Sequence, residues 1–245
     1  MLPLLPRILT PGDLLTYSKC SNLWHYSSIT EPSAGPDSQL VSIIKNLYVL
    51  SLKRDKLLSW KEVIALVDTW LFPASNIVPP TEAELVASKK ISEQIYKFYE
   101  QFYLKQNYSI GYPNLPISVW MDQARAKLVA ELDLLLVSQD GQLNIVSFSQ
   151  LASSVSQLYN SISTRTTVWM TSQAIKTSAV PHWTHIALSD KGTFSSVVLR
   201  SSKKDMEVTK KTVDYLVYGI VSGTRYPAVS EQCQLCPYLI PCSHD

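Results

Sequence analysis

The chain has 245 residues, 46% hydrophobic and 17% charged, with a formal net charge of +2. This length allows one large domain or two small ones, the composition favours a packed core over disorder, and any nucleic-acid-binding surface must be local. No apolar run is long enough to span a bilayer, and the first residues lack the basic-then-apolar layout of a secretory signal, so a soluble cytoplasmic protein is expected.

Thr10, Pro11 and Asp13 open a first helix, with Thr10 as N-cap, Pro11 at the first helical position and Cys20 riding on the helix. Residues 31–38 read as a loop. From Leu40 to Leu71 the apolar positions recur at helical spacing, broken at Lys53-Arg54-Asp55-Lys56, and Ser59 with Glu62 caps the second of two helices. Thr81 and Glu84 open a long amphipathic helix to about Gln106, whose Tyr96, Tyr99 and Tyr103 read as core or groove lining. After Gly111 and Pro113 the pattern turns to strands at Ile117–Met121, Lys127–Ser138 and Leu143–Phe148, the last two joined at Asp140-Gly141. A helical stretch over about 150–177 precedes a hairpin of His185–Leu188 with Phe194–Leu199, then a last helix over Met206–Gly219. Helices, a mixed sheet, then helices again predict an α/β fold with one central sheet. The whole of 1–245 is expected to be a single domain. Its ends (1–30 and 225–245) would bind a cluster, 31–110 would be helical, and 111–224 would form the α/β core.

Four cysteines stand out: Cys20 near the start, and Cys233, Cys236 and Cys242 in a C-x2-C-x5-C tail. Four thiolates suit a tetrahedral zinc or an iron–sulfur cluster, provided the fold brings the two ends together. Zinc ribbons normally supply two local pairs, whereas the split here is one plus three. Unligated thiols are the bland alternative.

The stretch from Leu9 to Cys20 resembles the opening of RecB-like nucleases that carry an iron–sulfur cluster, among them the CRISPR-associated single-strand exonucleases and the AddB nuclease domain. The tail from Arg225 to Cys242 is similar to their closing motif in proline placement and cysteine spacing. The resemblance implies a restriction-endonuclease-like PD-(D/E)XK core. It also implies a [4Fe–4S] cluster on Cys20, Cys233, Cys236 and Cys242, with zinc at the same cysteines as the alternative. In such a core an Asp and a second carboxylate on adjacent strands bind magnesium or manganese, and a Lys two residues after the second carboxylate stabilises charge at the scissile phosphate.

Carried onto this chain, the pattern assigns Asp133 to the first position, Ser147 to the second carboxylate and Ser149 to the lysine. Hydroxyls are poor substitutes for a carboxylate on a hard cation, and serine supplies no positive charge. Asp133 alone would be a weak divalent-metal ligand. The family's Gln-x-x-x-Tyr helix is also missing, since Gln157-Leu158-Tyr159 has no Tyr at the fourth position, and residues 81–106 hold no histidine, leaving Glu93 or Glu100 as substitutes. His25 reads as a surface histidine rather than a border to the cluster or a DNA contact. His182 and His185 flank Trp183 without metal-binding spacing, and the basic pairs Lys89-Lys90, Lys203-Lys204 and Lys210-Lys211 read as solvated surface unless several line one groove.

The expectation is therefore a catalytically inactive RecB-like homologue that binds DNA, as a single strand or duplex end, or serves as a subunit of a larger DNA-processing complex. It is not expected to be an enzyme, to contact a membrane or to take a small-molecule substrate. One alternative is an active metal-dependent nuclease with an atypical site built from Asp133, Glu131, Asp140 and Glu93, which alone would need magnesium or manganese. The other is a protein-interaction scaffold stapled by the cluster.

Overall fold

The computed structural model describes residues 7–28, 46–47, 49–51, 53–54, 58–71, 81–83, 86, 89, 92–93, 96, 108–149, 153–177, 179–188, 194–226, 233 and 236. The expected Thr81–Glu84 cap, the Asp190-Lys191-Gly192 turn, Glu100, Tyr99, Tyr103 and Cys242 lie outside them.

Strand β3 (Ala126–Ser138) is the hub of the sheet. Along one edge runs β2 (Tyr108–Met121), antiparallel, from Met121 opposite Ala126 to Tyr108 opposite Ser138. The other edge is shared. A short strand, β1 (Arg7–Leu9), lies parallel to residues 126–128, and β4 (Leu143–Ser149) lies antiparallel to residues 134–137. Beyond β4 come β5 (His182–Leu188), parallel to it, and β6 (Phe194–Arg200), antiparallel to β5. The sheet is mixed, as the pattern of the sequence predicts, and among the described residues it has six strands. Expected strands begin or end short of the observed ones, most of all β2, because Pro113 and Pro116 interrupt the alternation without ending the ladder. The Asp140-Gly141 turn is present: Gly141 takes φ +83°, a conformation that glycine adopts without a Cβ penalty. Strand β1 has no counterpart among the expected elements, because three residues are too few for a periodic signal.

Seven N-terminal residues of helix follow a break that the sequence reading missed. Helix α1 (Pro11–Lys19) starts at a capping box in which Thr10 Oγ1 accepts from Asp13 N at 3.1 Å and Asp13 Oδ2 accepts from Thr10 N at 2.7 Å. It ends at Cys20, which is extended (φ −162°) and serves at once as C-cap of α1 and N-cap of α2 (Ser21–Ser27). Cys20 therefore sits at a helix junction rather than on a helix. Helix α3 (Trp60–Leu71) opens at the expected Ser59–Glu62 box. Residues 46–54 and 82–96 are helical wherever they are described. Between β4 and β5 the expected single helix is two, α4 (Val155–Asn160) and α5 (Ile162–Ile175), because Ser161 is extended, caps α5 and accepts from Thr164 N. Helix α6 (Lys203–Val221) closes the fold, capped by Ser202 with Asp205.

The core lies between the sheet and α1, α5 and α6. Leu128, Leu132, Leu135 and Ile145 from the strands meet Leu14, Val168, Met170, Val213, Val217 and Ile220 from the helices, all close to fully buried. Each such side chain contributes roughly 1.5–3 kcal/mol by leaving water. The same packing fixes β3 and β4 from behind, so the side chains at the end of their hairpin have defined positions.

Candidate functional site

On the β3–β4 hairpin Leu134 pairs with Val146, and the same register carried one step further sets Asp133 opposite Ser147. Past that point the backbone ladder ends and a side chain continues it: Asp133 Oδ2 accepts from Phe148 N at 3.1 Å. Ser147 pairs across the parallel ladder with His185 of β5. The imidazole sits between the two serines, with Nδ1 3.0 Å from Ser147 Oγ and Nε2 3.2 Å from Ser149 Oγ. A neutral imidazole donates through one nitrogen and accepts through the other, and each hydroxyl can take either part, so both contacts are satisfied. Strand alternation explains the pairing, since Ser147 and Ser149 are two residues apart and share a face.

Three of the residues singled out from sequence thus occupy one place, and His185 joins them. From sequence His185 opens the expected strand His185–Leu188 and has no metal-binding spacing to His182. It lies inside β5 because the strand starts three residues earlier, at His182. The signal that identifies it is positional: in a parallel pair with this register, whatever stands opposite Ser147 enters the site.

The other carboxylates of the atypical-site alternative do not come together. Glu131 is exposed two residues back on β3, and Glu93 is an exposed helical residue. Asp140 is engaged in the hairpin turn, bonded to the Ser138 hydroxyl and accepting from Gln142 N at 3.3 Å, contacts that hold its carboxyl below the usual range. Among the described residues, no group of three or more His, Cys, Asp or Glu side chains stands close enough to hold a metal ion. Gln157 is likewise committed, its side chain reaching back to Ser154 N at 2.8 Å in the capping box of α4. Tyr159 donates to Asp205 Oδ1 at 2.7 Å, and that contact raises the phenol's pKa; the carboxyl's is lowered first by the hydrogen bonds from Ser202 and then by Tyr159.

The second region of interest is where the two ends of the described chain meet. Tyr17 Oη donates to Thr224 O at 2.8 Å, Tyr226 Oη donates to Tyr17 O at 2.8 Å, and Ser21 Oγ donates to Tyr226 O at 2.7 Å while accepting from Tyr226 N. Arg7 donates to Ile220 O at 2.8 Å. Tyr17 stacks edge-on against both Trp24 and Tyr226. Burial raises the pKa of both phenols, with Tyr226 adding to the shift of Tyr17 and the nearby Cys20 adding to that of Tyr226. Cys20 Sγ accepts from Leu23 N at 3.5 Å, and Cys236 N donates to Cys233 O at 3.1 Å, a turn that fits the C-x2-C spacing. His25 is half-buried, its Nε2 accepting from Arg225 at 2.8 Å.

No protein-family model and no curated protein matches the sequence. Among solved structures, a candidate exonuclease from Eubacterium rectale superposes with a TM-score of 0.52 at 10% identity, over 95% of this chain and 88% of that one. The two chains share a nuclease-like fold. A looser superposition on the protein SSO0001 covers 97% of this chain and 86% of that one at 11% identity, and its TM-score of 0.46 adds no weight. In this nuclease-like fold the site just described lies at the β3–β4 hairpin. No helix among the described residues is long and apolar enough to cross a membrane.

Proposed function

We propose that this protein is a RecB-like member of the PD-(D/E)XK nucleases that has lost catalysis and retains nucleic-acid binding, acting on DNA as a binding subunit of a larger processing complex. The observation that carries the reading is the pairing of Ser147 and Ser149 with His185. Where a cleaving site needs a carboxylate and a lysine aimed at metal and phosphate, two hydroxyls hold an imidazole. Magnesium and manganese prefer oxygen ligands, and here Asp133 is the one acid at the motif, its Oδ2 already accepting from Phe148 N.

The four cysteines would hold a [4Fe–4S] cluster, or zinc with the same donors. What supports the reading is that the Tyr17–Tyr226 and Ser21–Tyr226 bonds set Tyr226 beside the helix junction that carries Cys20, and that Cys233 and Cys236 share a turn; Cys20, Cys233 and Cys236 do not by themselves stand close enough to hold a metal ion. A cluster there would supply a covalent tie between Cys20 and the cysteine tail. Tyr17, Ser21 and Tyr226 would hold the backbone beside Cys20 in place for it, through the bonds already named.

The test uses protein purified without oxygen, with visible absorbance and iron content measured on the same sample, and labelled single-stranded DNA offered with magnesium or manganese. The expected result is iron-dependent colour, DNA binding that weakens as salt rises, and no cleavage. Cleavage that disappears in Asp133→Ala would overturn the reading.

A further inference from the structure

Between β1, α1, α2 and the end of α6 lies a cavity of about 470 Å3, within the size range of small-ligand sites. Its lining is chemically one-sided. Arg7, Arg225 and His25 contribute three nitrogen-rich side chains, Trp24 and Tyr17 two aromatic rings, and none of the described lining residues is a carboxylate. In a chain with 22 basic and 20 acidic residues, two guanidinium groups facing one cavity without an acid is a local concentration of positive charge.

The groups are also held in place. Trp24 Nε1 donates to Asp13 Oδ1 at 3.1 Å, outside the lining, and its ring meets the neighbouring lining ring of Tyr17 edge-on at 5.9 Å, so the indole is held in place. Arg225 is oriented by His25 and Arg7 by Ile220 O, each at 2.8 Å. Guanidinium groups bind phosphate through paired N–H donors, and a fixed indole offers a stacking surface to any base.

We propose that this cavity binds a phosphorylated nucleoside, the phosphate on Arg225 and Arg7 and the base against Trp24. The inference deepens the nucleic-acid reading by naming a second contact. Strand β1 pairs Leu9 with Leu128, so the cavity's β1 wall lies on the same edge of β3 as Asp133, five residues or roughly 16 Å along the strand. A single strand whose end enters the cavity would pass the Ser147–His185 site. The ligand chemistry has two sources, the terminus of a strand or a free nucleotide.

The experiment measures binding of a short oligothymidylate carrying a 5′-phosphate, a 3′-phosphate or neither, and of thymidine monophosphate alone, to the full chain by fluorescence anisotropy and calorimetry. A terminal phosphate should strengthen binding about tenfold, and Arg225→Gln should abolish that gain and lower the salt slope by about one. Ser28→Glu, which adds a carboxylate at an exposed lining position, should do the same and serves if the first variant misfolds. Tight binding of the mononucleotide with no advantage for a strand supports the cavity and assigns it to free nucleotides. Strands bound equally with or without phosphate, unaffected by either variant, overturn the cavity proposal and leave the nucleic-acid reading standing. Absence of binding by every strand and nucleotide overturns both.

Discussion

The edge of β3 not covered by β2 carries two regions that are built on opposite principles. At its β4 end the hairpin site is assembled from adjacent strands by ladder register, and its contacts follow from local pairing. At its β1 end the clamp is assembled from residues 205 to 213 positions apart, joined by Tyr17, Ser21, Tyr226 and Arg7. The difference shows where each region tolerates change. A ladder keeps its backbone through most side-chain changes, so positions 147 and 149 can exchange side chains without disturbing the fold. The clamp has no ladder beneath it beyond three residues of β1, so its side chains are the structure.

The largest expected effect is a change of kind at the hairpin. Ser147→Glu with Ser149→Lys places a carboxylate opposite Asp133 and a cation two residues on. Manganese binding, not expected of the unaltered protein, should then become measurable by calorimetry. A double variant that folds and still binds no manganese would show that the register argument fails to locate the site.

At the clamp the effects are smaller and structural. A Cβ on Gly219 would stand 2.6 Å from Tyr17 Oη, and that ring is pinned by Thr224, Trp24 and Tyr226. Gly219→Ala should destabilise the fold by about 1–3 kcal/mol, more than the ~1 kcal/mol that alanine gains in a helix. Chemical denaturation measures it. Tyr17→Phe alone should cost about 1 kcal/mol for its lost hydrogen bond. Combined with Gly219→Ala it should cost less than the sum, because the closest atom is gone. Additive losses would mean that the helix and the ring do not meet as described.

Smaller still is the pH response of the strand beside the hairpin. Burial first, and then Arg200, lower the pKa of His182. The unfolded chain therefore takes up a proton before the folded one does, and stability falls as pH drops below about 6.5. Melting temperature between pH 7 and 5 should decline less steeply in His182→Gln. An unchanged slope would assign the response to other groups.

Much of this was legible in the residues. Capping by Thr10 and by Ser59 with Glu62, the Asp140-Gly141 turn and the order of the strands all follow from local chemistry that tertiary packing does not override. That Asp133 and Ser147 stand opposite each other on the hairpin was legible too, because hairpin register is set by the turn. His185 was not, since its role depends on which strand lies beside β4, a partnership 38 residues away that no local pattern encodes. The split at Ser161 was hidden for a different reason. Apolar residues continue across it, and only the extended backbone of one serine interrupts the helix.

The long reach of the clamp bears on how the chain is made. Tyr17 and Ser21 leave the ribosome about two hundred residues before Thr224 and Tyr226, their hydrogen-bond partners. Until then α1 and α2 lack the last of the partners that bury them, and closing so long a loop comes late in folding. Until Tyr226 is made, the face formed by α1 and α2 stays unfinished, and Cys20 waits there with it.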